Sequence, residues 1–551
     1  MLRAALLALL PVIAAAQPAS PAPPAQATAR IVTFRSTVDG TDQPYALYLP
    51  PAFDASHTYP LVVSLHAEET NHRVNLIQLL GSSRTPAEIG LSVGFNGPFP
   101  RLRGVEFLIA CPFARGTMGY QGIAEQDVYD MLDDVERRYP VDRDRVYLTG
   151  ISMGGGGALW LAVTRPDVWA AVAPVSAFTI PGTEELAPNA LNLPIRLFHG
   201  ALDPAVPAAS SRDWQRRLLD ASAPAEYIEY PGALHNAWDR AYRPPGVFDW
   251  FAQHKRDAKP ERVHLVARFY RYASAYWLRI DGLMPGTLAS IDARLTAPNA
   301  LRVDTSALDA FTVLRDDLRL PALVTIDGQP VSVRSGALSF HKAAGRWRQG
   351  FQPPEGKRAG SEGPIAAAVS GPHIYVYGTA DNPPPDVIAA RRAVAAQAAD
   401  WSSPPYAHPA VSFEVKADAD VTDAEIAANN LVLFGSRQTN SLIARLTPQF
   451  VLELNPSAAD YGLLFIAPIG NRYALVSSGL PWWAGATEAN RGGDPFAPPA
   501  FRLLSTFQDF ILFRGSLDHV VSEGYFERNW KVRPDASASQ LLATGAVAIR
   551  P

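Results

Sequence analysis

The stretch that most constrains this chain is Gly150-Ile151-Ser152-Met153-Gly154, which lies between an apolar run and a helical run. The preceding sequence RVYLTG is typical of a buried strand, and the following sequence GGGALWLA is typical of a helix. In this context G-x-S-x-G predicts a sharp strand-to-helix turn that strains the serine backbone and lifts its Oγ clear of the sheet. We therefore predict that Ser152 is a nucleophile, with an ordinary glycine-serine turn as the alternative.

Three further glycines, Gly155, Gly156 and Gly157, extend the turn into the helix. Glycine within a helix costs about 1 kcal/mol relative to alanine, so a run of glycines needs a structural reason. Without side chains at these positions the helix can lie close against the sheet. Its positive N-terminal end is then aimed near a developing oxyanion. We therefore predict an unusually close approach of this helix to its surroundings.

Apolar runs alternate with helical segments between Arg30 and Arg256. This alternation predicts a parallel sheet that helices cover on both faces. The predicted strands are 45–50, 59–67, 105–112, 145–150, 169–177, 194–200 and 225–231. The predicted helices are 124–139, 154–164, 208–221 and 247–255.

A nucleophilic serine needs a histidine base, and the base needs an orienting carboxylate. For a serine on this type of turn, the acid and then the histidine follow it along the chain, each in a loop after a later strand. Asp203 lies in the loop ALDPAVP after the strand 194–200, and His235 lies in the loop GALH after the strand 225–231. We predict that Ser152, Asp203 and His235 are the catalytic residues.

Other titratable residues compete for these roles. Asp213 falls on a predicted helix, where a solvated carboxylate is typical, and Asp239 is interpreted as a partner in a local surface contact. His199 ends a strand, which favours a structural histidine over a base. His72 is a possible substrate contact, but a solvated loop histidine is the favoured interpretation.

Hydrolysis also needs backbone N–H groups that stabilise an oxyanion. The N–H of Met153, directly after the serine, is the first candidate, and that of Ala67 or Glu68, after the strand 59–67, is the second. Tyr120 and Trp238 are candidates for the substrate pocket, with ordinary packing as the alternative. The sequence contains no metal-binding motif, so we predict neither a metal nor a cofactor.

The pattern changes after residue 257. Short alternating strands separated by turn residues predict a small β-sandwich over 258–350. Glycine, proline and charged residues predict a linker over 351–364. Strand and helix patterns then return, so 365–551 is predicted to form an α/β domain. The fold class is therefore α/β, with three domains in sequence.

Residues 30–257 resemble the α/β-hydrolase superfamily, and in particular the bacterial esterases grouped with polyhydroxybutyrate depolymerases and feruloyl esterases, which are also labelled prolyl-oligopeptidase-like. The resemblance rests on LHAEET, ARGTMGYQGIAEQDVYDML, GISMGGGG, FHGALDPAVP and YPGALHNAWDRAY. It implies the fold and the catalytic triad but not the substrate. The family usually shows His-Gly where this chain has His66-Ala67.

The N-terminus has the pattern of a secretory signal peptide over 1–16, with Arg3 ahead of an apolar run and alanines before Gln17. A leader rich in proline and alanine follows over 17–29. The net charge of −4 gives no indication of nucleic acid as a partner. Cys111 is the single cysteine, so no intramolecular disulfide is possible. We predict a periplasmic or secreted protein without a membrane span.

Three functions follow from these observations. The first is an exported serine esterase acting on a small or polymer-linked ester. The second is a prolyl-oligopeptidase-like serine peptidase. The third is a polymer-binding protein with a vestigial hydrolase site, for which Trp482 and Trp483 could stack on sugar rings, with a buried aromatic pair as the alternative. The oligomeric state and the role of 258–551 stay open.

Overall fold

An eight-stranded sheet organises the first half of the chain in the computed structural model, which describes residues 28–81, 99, 101–353, 355–401, 411, 413–484 and 499–550. The predicted signal peptide over 1–16 lies outside the described residues. The strand order is β1-β2-β4-β3-β5-β6-β7-β8. The strands are β1 Thr28–Arg35, β2 Asp42–Leu49, β3 Tyr59–Leu65, β4 Leu108–Pro112, β5 Val141–Ile151, β6 Ala171–Val175, β7 Ile195–Gly200 and β8 Ala225–Tyr230.

Strands β3 to β8 are parallel, whereas β1 and β2 are antiparallel. The predicted parallel sheet is therefore present in β3 to β8, and two antiparallel strands extend it at this edge. β1 and β2 form a hairpin, and Gly40 in its turn has a φ of +65°, a conformation that glycine adopts without strain. β1 was not predicted. It contains Thr28 and Ala29, which the sequence analysis had assigned to the leader.

Helices cover both faces of this sheet, as predicted. They are α1 His72–Leu80, α2 Ile123–Arg138, α3 Met153–Thr164, α4 Ala209–Asp220, α5 Trp238–Ala241 and α6 Val247–Phe251. Apolar side chains of α2, α3 and α4 share one core with the sheet, and those of α1, α5 and α6 share another. α1 was not predicted. It begins where the Asn71 side chain accepts hydrogen bonds from the N–H groups of Arg73 and Val74.

Two five-stranded sheets follow and enclose one apolar core, which is the predicted sandwich arrangement. Their orders are β10-β11-β14-β17-β18 and β16-β15-β13-β12-β9. The strands are β9 Arg262–Ala267, β10 Ser274–Ala275, β11 Leu278–Leu283, β12 Ala289–Ala297, β13 Ala300–Ser306, β14 Leu308–Val313, β15 Ala322–Ile326, β16 Gln329–Val333, β17 Ser339–Ala343 and β18 Arg346–Gln349.

The last third is α/β, built on a seven-stranded sheet of order β20-β19-β21-β24-β23-β25-β26 and a two-stranded sheet of β22 and β27. The strands are β19 His373–Tyr377, β20 Val415–Ala417, β21 Asn430–Phe434, β22 Leu452–Leu454, β23 Tyr461–Ile469, β24 Arg472–Gly479, β25 Phe510–Arg514, β26 Ser516–Gly524 and β27 Val547–Ile549. The helices are α7 Pro385–Ala399, α8 Asp423–Ala428, α9 Ser441–Leu446, α10 Pro499–Thr506 and α11 Ala536–Ala543.

The segment 351–364, predicted as a linker, is partly buried between the sandwich and the last third. Lys357 and Glu362 are 3% and 8% exposed. Lys357 forms a buried ion pair with Asp509 of the last third. The Glu362 carboxylate accepts a hydrogen bond from the N–H of Arg271 in the sandwich (2.8 Å), and its own N–H donates to the Tyr473 hydroxyl (2.8 Å). The segment therefore joins its neighbours by specific contacts.

The hydrolase-like unit contacts both later units. The Glu125 carboxylate on α2 accepts hydrogen bonds from Trp160 Nε1 of α3 (2.9 Å) and from the Tyr272 hydroxyl of the sandwich (2.8 Å). Val38 in the β1–β2 turn and Met118 in the loop after β4 belong to the apolar core of the last third. Among the described helices, none has the length and apolarity needed to cross a membrane.

Glu362 makes the stability of this junction depend on pH. Burial raises the pKa of Glu362 to about 8, against about 4.3 for an exposed glutamate. The folded protein therefore holds this proton more tightly than the unfolded chain. Its contribution to the free energy of unfolding falls as the pH rises from about 4.5 to about 8. We expect the melting temperature of Glu362→Gln, relative to wild type, to increase between pH 5 and pH 8.5.

Thermal denaturation monitored across this pH range measures the difference. The lost hydrogen bond adds a constant offset, so only the slope against pH is informative. Glu355→Gln, an exposed carboxylate on the same segment, is the matched control and should show no slope. A difference between Glu362→Gln and wild type that stays flat with pH would contradict the prediction.

Candidate active site

Ser152 occupies a strained turn between β5 and α3. Its φ is 55° and its ψ is −113°, a conformation that residues other than glycine rarely adopt. The Ser152 N–H donates to the carbonyl oxygen of Val175 at 2.9 Å, which ties the turn to the end of β6. A Cβ at Gly150 would lie 2.0 Å from the Gly154 carbonyl oxygen. The turn therefore requires glycine at this flanking position, as the sequence predicted.

The next glycines allow α3 to approach its surroundings closely. A Cβ at Gly154 would lie 2.2 Å from the carbonyl oxygen of Leu65, and one at Gly156 would lie 2.4 Å from that of Phe178. A Cβ at Gly157 would lie 2.4 Å from the ring of Tyr120. These distances are far below van der Waals contact. The glycine run is thus required by backbones and one aromatic ring that lie against the first turns of the helix.

The structure brings Ser152, His235 and Asp203 into one hydrogen-bonded chain. His235 Nε2 lies 2.9 Å from Ser152 Oγ, and His235 Nδ1 lies 2.7 Å from Asp203 Oδ2. Nδ1 therefore donates to the carboxylate, and Nε2 is left to accept the serine proton. This arrangement of nucleophile, base and orienting acid is the one that activates a serine for attack on a carbonyl.

The Asp203 side chain is buried and fully hydrogen-bonded. Its Oδ1 accepts the N–H groups of Ala205 and Val206, each at 2.9 Å. Burial by itself would raise the pKa of Asp203, but the hydrogen bonds from His235 and Val206 outweigh it and hold the pKa below its usual range. The carboxylate is therefore ionised at neutral pH and can stabilise a protonated His235.

Ser176 contacts the backbone of His235, and Trp238 packs against its ring. The Ser176 hydroxyl, in the loop after β6, donates to the His235 carbonyl oxygen at 2.9 Å. The Trp238 ring stands edge-on to the imidazole, with centroids 5.5 Å apart, and Trp238 is 8% exposed. Trp238, predicted as a pocket residue, thus packs against the base.

The predicted oxyanion donors lie at the start of α3 and after β3. Met153 is the first residue of α3, and Ala67 follows β3. The two segments lie close together, because a Cβ added at Gly154 would be only 2.7 Å from the His66 carbonyl oxygen. Both ring nitrogens of His66 face carbonyl oxygens, those of Ala67 (2.8 Å) and Phe113 (2.9 Å). Burial lowers the pKa of His66, so the ring is neutral and can donate to only one of them.

Three sequence-based interpretations of nearby residues need comment. Glu68, predicted to offer its backbone N–H, has an exposed side chain. Tyr120, a pocket candidate, is instead fully buried, and its hydroxyl donates to the His66 carbonyl oxygen at 3.1 Å. The interpretation of His72 as a solvated loop histidine was wrong. His72 begins α1, packs edge-on against Phe113, and has its pKa lowered to about 3 by burial.

The competing carboxylates lie outside the chain of hydrogen bonds. Asp213 is paired with Arg217, whose Nε donates to it at 2.6 Å. Asp239 accepts a hydrogen bond from Asn236 Nδ2 at 2.8 Å.

Cys111 is buried, and burial raises the pKa of its thiol, so it is not a reactive thiolate. Within the described residues, no group of three histidine, cysteine or acidic side chains could hold a metal ion.

Sequence reasoning missed an apolar rim at the site. Leu202 and Leu234, which directly precede Asp203 and His235, are 61% and 54% exposed. Their loops are adjacent, because the Leu202 N–H donates to the carbonyl oxygen of Ala233 at 2.9 Å. Phe178, partly exposed, is also close, since its N–H donates to the Ser152 carbonyl oxygen at 3.3 Å. The sequence signal for these residues was their position, because each either adjoins a residue of the Ser152–His235–Asp203 hydrogen-bonded chain or follows a strand of the sheet.

In the last third of the chain, the tryptophan pair and two strand-to-helix turns make contacts within the protein. Trp482 is fully buried and meets Trp483 edge-on with centroids 4.6 Å apart, so the pair is packed rather than presented to a sugar. The strand-to-helix turns after β19 and β21 share the carboxylate of Asp418. It accepts the N–H groups of Thr379 (2.8 Å) and Ser441 (2.6 Å), so both backbone donors are already hydrogen-bonded.

Comparison with known proteins locates the similarity in the first unit. Residues 36–232 match a family model described as a putative esterase. An S-formylglutathione hydrolase of Paracoccus denitrificans is 28% identical over 163 residues, which are 27% of this chain and 57% of that protein. The chain therefore spans little more than half the length of this curated relative.

Similar solved structures include esterases. A thermostable esterase is 21% identical, with 41% of this chain and 63% of that one covered and a TM-score of 0.33. A ferulic acid esterase from Anaeromyces mucronatus, in complex with ferulic acid, is 18% identical, with 39% of this chain and 89% of that one covered and a TM-score of 0.31.

Proposed function

We propose that this chain, whose residues 36–232 belong with the esterases of the α/β-hydrolase superfamily, is a serine carboxylesterase that forms an acyl-enzyme. The observation that carries the proposal is the contact of Ser152 Oγ with His235 Nε2 at 2.9 Å, while Asp203 holds the opposite nitrogen at 2.7 Å. A further support is the strained backbone of Ser152, since such strain persists only where the surrounding structure enforces it.

The geometry supports a two-step reaction. Ser152 Oγ attacks the ester carbonyl carbon as His235 Nε2 takes its proton, and Asp203 stabilises the imidazolium. The N–H of Met153 and a backbone N–H of Ala67 or Glu68 stabilise the oxyanion of the tetrahedral intermediate. His235 then gives its proton to the leaving alcohol. A water molecule, deprotonated by the same nitrogen, then attacks the acyl carbon. The bond from that carbon to Ser152 Oγ breaks, His235 returns the proton to Oγ, and the carboxylic acid is released.

The surroundings of the triad favour an ester with an apolar part. The exposed Leu202 and Leu234 directly precede Asp203 and His235, so we infer that the approach to the serine has an apolar side. A feruloyl, acetyl or polyester group suits this approach better than a charged acyl group. Comparison of the hydrolysis rates of these esters identifies the preferred acyl group.

The pattern of residues 1–16 supports export of the enzyme, because a charged start, an apolar run and small residues are what signal peptidases process. The single buried Cys111 is compatible with an oxidising compartment, because it leaves no accessible thiol to cross-link. Fractionation of cells that produce the protein tests this, since retention in the cytoplasm would contradict export.

Matched chromogenic substrates test the reaction class. We expect the wild-type protein to cleave p-nitrophenyl acetate or p-nitrophenyl ferulate, and Ser152→Ala to lose that cleavage. The ratio of acetyl to feruloyl rates then identifies the acyl class. Cleavage of a prolyl p-nitroanilide alone would establish the peptidase alternative instead. Cleavage of no substrate, or equal activity of the alanine variant, would overturn the proposal.

A further inference from the structure

A second histidine lies behind the catalytic acid. His199, the next-to-last residue of β7, is fully buried. Its Nε2 lies 3.2 Å from Asp203 Oδ2, the same oxygen that receives the hydrogen bond of His235. Nε2 also lies 3.0 Å from the carbonyl oxygen of Val206, in the loop that Asp203 begins. His199 therefore contacts both the carboxylate and the loop that carries it.

The neighbours of His199 define its protonation. Both oxygens near Nε2 only accept hydrogen bonds, so Nε2 carries a proton. On the other side, Nδ1 lies 2.7 Å from the Ser211 hydroxyl of α4, which can donate to it. Burial lowers the pKa of His199, which keeps the ring neutral with its single proton on Nε2. Ser211 thus selects the tautomer whose N–H binds the Val206 carbonyl oxygen, on the side of the ring that faces Asp203.

Protein groups surround the carboxylate of Asp203. Oδ1 accepts the N–H groups of Ala205 and Val206, and Oδ2 accepts that of His235. His199 Nε2 lies 3.2 Å from Oδ2, while its hydrogen bond goes to the Val206 carbonyl oxygen. A buried carboxylate remains ionised only where such donors replace its lost hydration. Removing the Nε2–H of His199 releases the Val206 carbonyl and so loosens the loop that holds Asp203 against His235.

We propose that His199 is a positioning residue for the catalytic acid, held in its tautomer by Ser211. The active site is then a chain of five side chains, Ser211, His199, Asp203, His235 and Ser152. His199 does not exchange a proton with substrate. It fixes the angle at which Asp203 meets His235 and so aligns the base with the serine. This inference rests on the proposed function of the triad.

The test compares variants of His199 with one another. We expect His199→Phe, which has no donor, to lower kcat for the best ester about 10- to 100-fold, the range typical of residues that orient a functional group. KM should change less than about threefold, because substrate does not touch this residue. His199→Gln can restore a side-chain N–H and should recover part of kcat, and Ser211→Ala should lower kcat less than His199→Phe.

A double-mutant cycle separates positioning from general stability. Asp203→Asn should lower kcat by about 10⁴-fold, as a disrupted acid does in serine hydrolases. If His199 acts through Asp203, adding His199→Phe to Asp203→Asn should lower kcat no further than about twofold. Independent effects that multiply would overturn the proposal, as would full kcat in His199→Phe.

The control is a similar histidine–serine pair outside the site. His264 Nε2 in β9 lies 3.0 Å from Ser290 Oγ in β12, within the sandwich. His264→Phe should leave kcat unchanged. Ser152→Ala assayed in parallel distinguishes the two proposals. If Ser152→Ala loses activity and His199→Phe does not, the triad stands and the role of His199 fails.

Discussion

Exchange of Ser152, of His235 or of both for alanine is expected to lower kcat for ester hydrolysis by the same factor, about 10⁴- to 10⁶-fold. The reason is that the serine is nucleophilic only while the 2.9 Å contact with His235 Nε2 can remove its proton. Once either partner is gone, the other contributes nothing, so the losses do not multiply. The remaining rate comes from the oxyanion donors and from binding alone.

Steady-state kinetics on the three variants measure this. Ser210→Ala is a suitable control, since Ser210 lies near the site but its hydroxyl donates to the Pro207 carbonyl oxygen at 2.9 Å. That variant should keep its kcat. If the double variant were much slower than either single variant, Ser152 and His235 would act independently, and the proposed mechanism would be wrong.

Replacement of Gly154 by alanine is expected to destabilise the fold strongly. The added methyl group would lie 2.2 Å from the carbonyl oxygen of Leu65 and 2.7 Å from that of His66. Both are backbone atoms at the end of β3, so neither can turn away as a side chain could. We expect a loss of about 4 kcal/mol or more in the free energy of unfolding, above the usual cost of overpacking.

Thermal denaturation and soluble yield check this expectation. A loss of that size lowers the melting temperature of a domain of this length by roughly 10 °C or more. Gly371→Ala is the matched control, because nothing lies within 4 Å of its Cβ position and its φ is not positive. A stable, active Gly154→Ala variant would show that α3 does not need its close approach to β3.

The sequence predicted the elements around the site because their signals are local. An apolar strand, a G-x-S-x-G turn and a helix are contiguous in the chain, so Ser152 could be assigned from about twenty residues. Asp203 and His235 could be assigned because they follow strands, and parallel strands end at one edge of a sheet. α1 and β1 were missed because neither has a clear apolar period; α1 depends on the Asn71 cap and on burial against the sheet.

Residues whose role depends on distant partners could not be predicted. His199 could be recognised as a structural histidine, but its contact with Asp203 depends on how the loop 203–206 folds back. For Tyr120 the sequence left a pocket role and ordinary packing open, and only the structure shows that its ring is buried against Gly157. The segment 351–364 has the composition of a linker, and only the buried partners of Lys357 and Glu362 make it part of a junction.

The sequence by itself determined the order of the elements, the turn that presents Ser152, and which aspartate and histidine were predicted to lie beside it. These follow from periodicity and from short-range steric limits on the backbone. Only the tertiary structure decided the distances between Ser152, His235 and Asp203, the second histidine behind the acid, and the contacts among the three units. Such contacts join residues far apart in the chain, and their energy depends on burial and geometry that no local pattern contains.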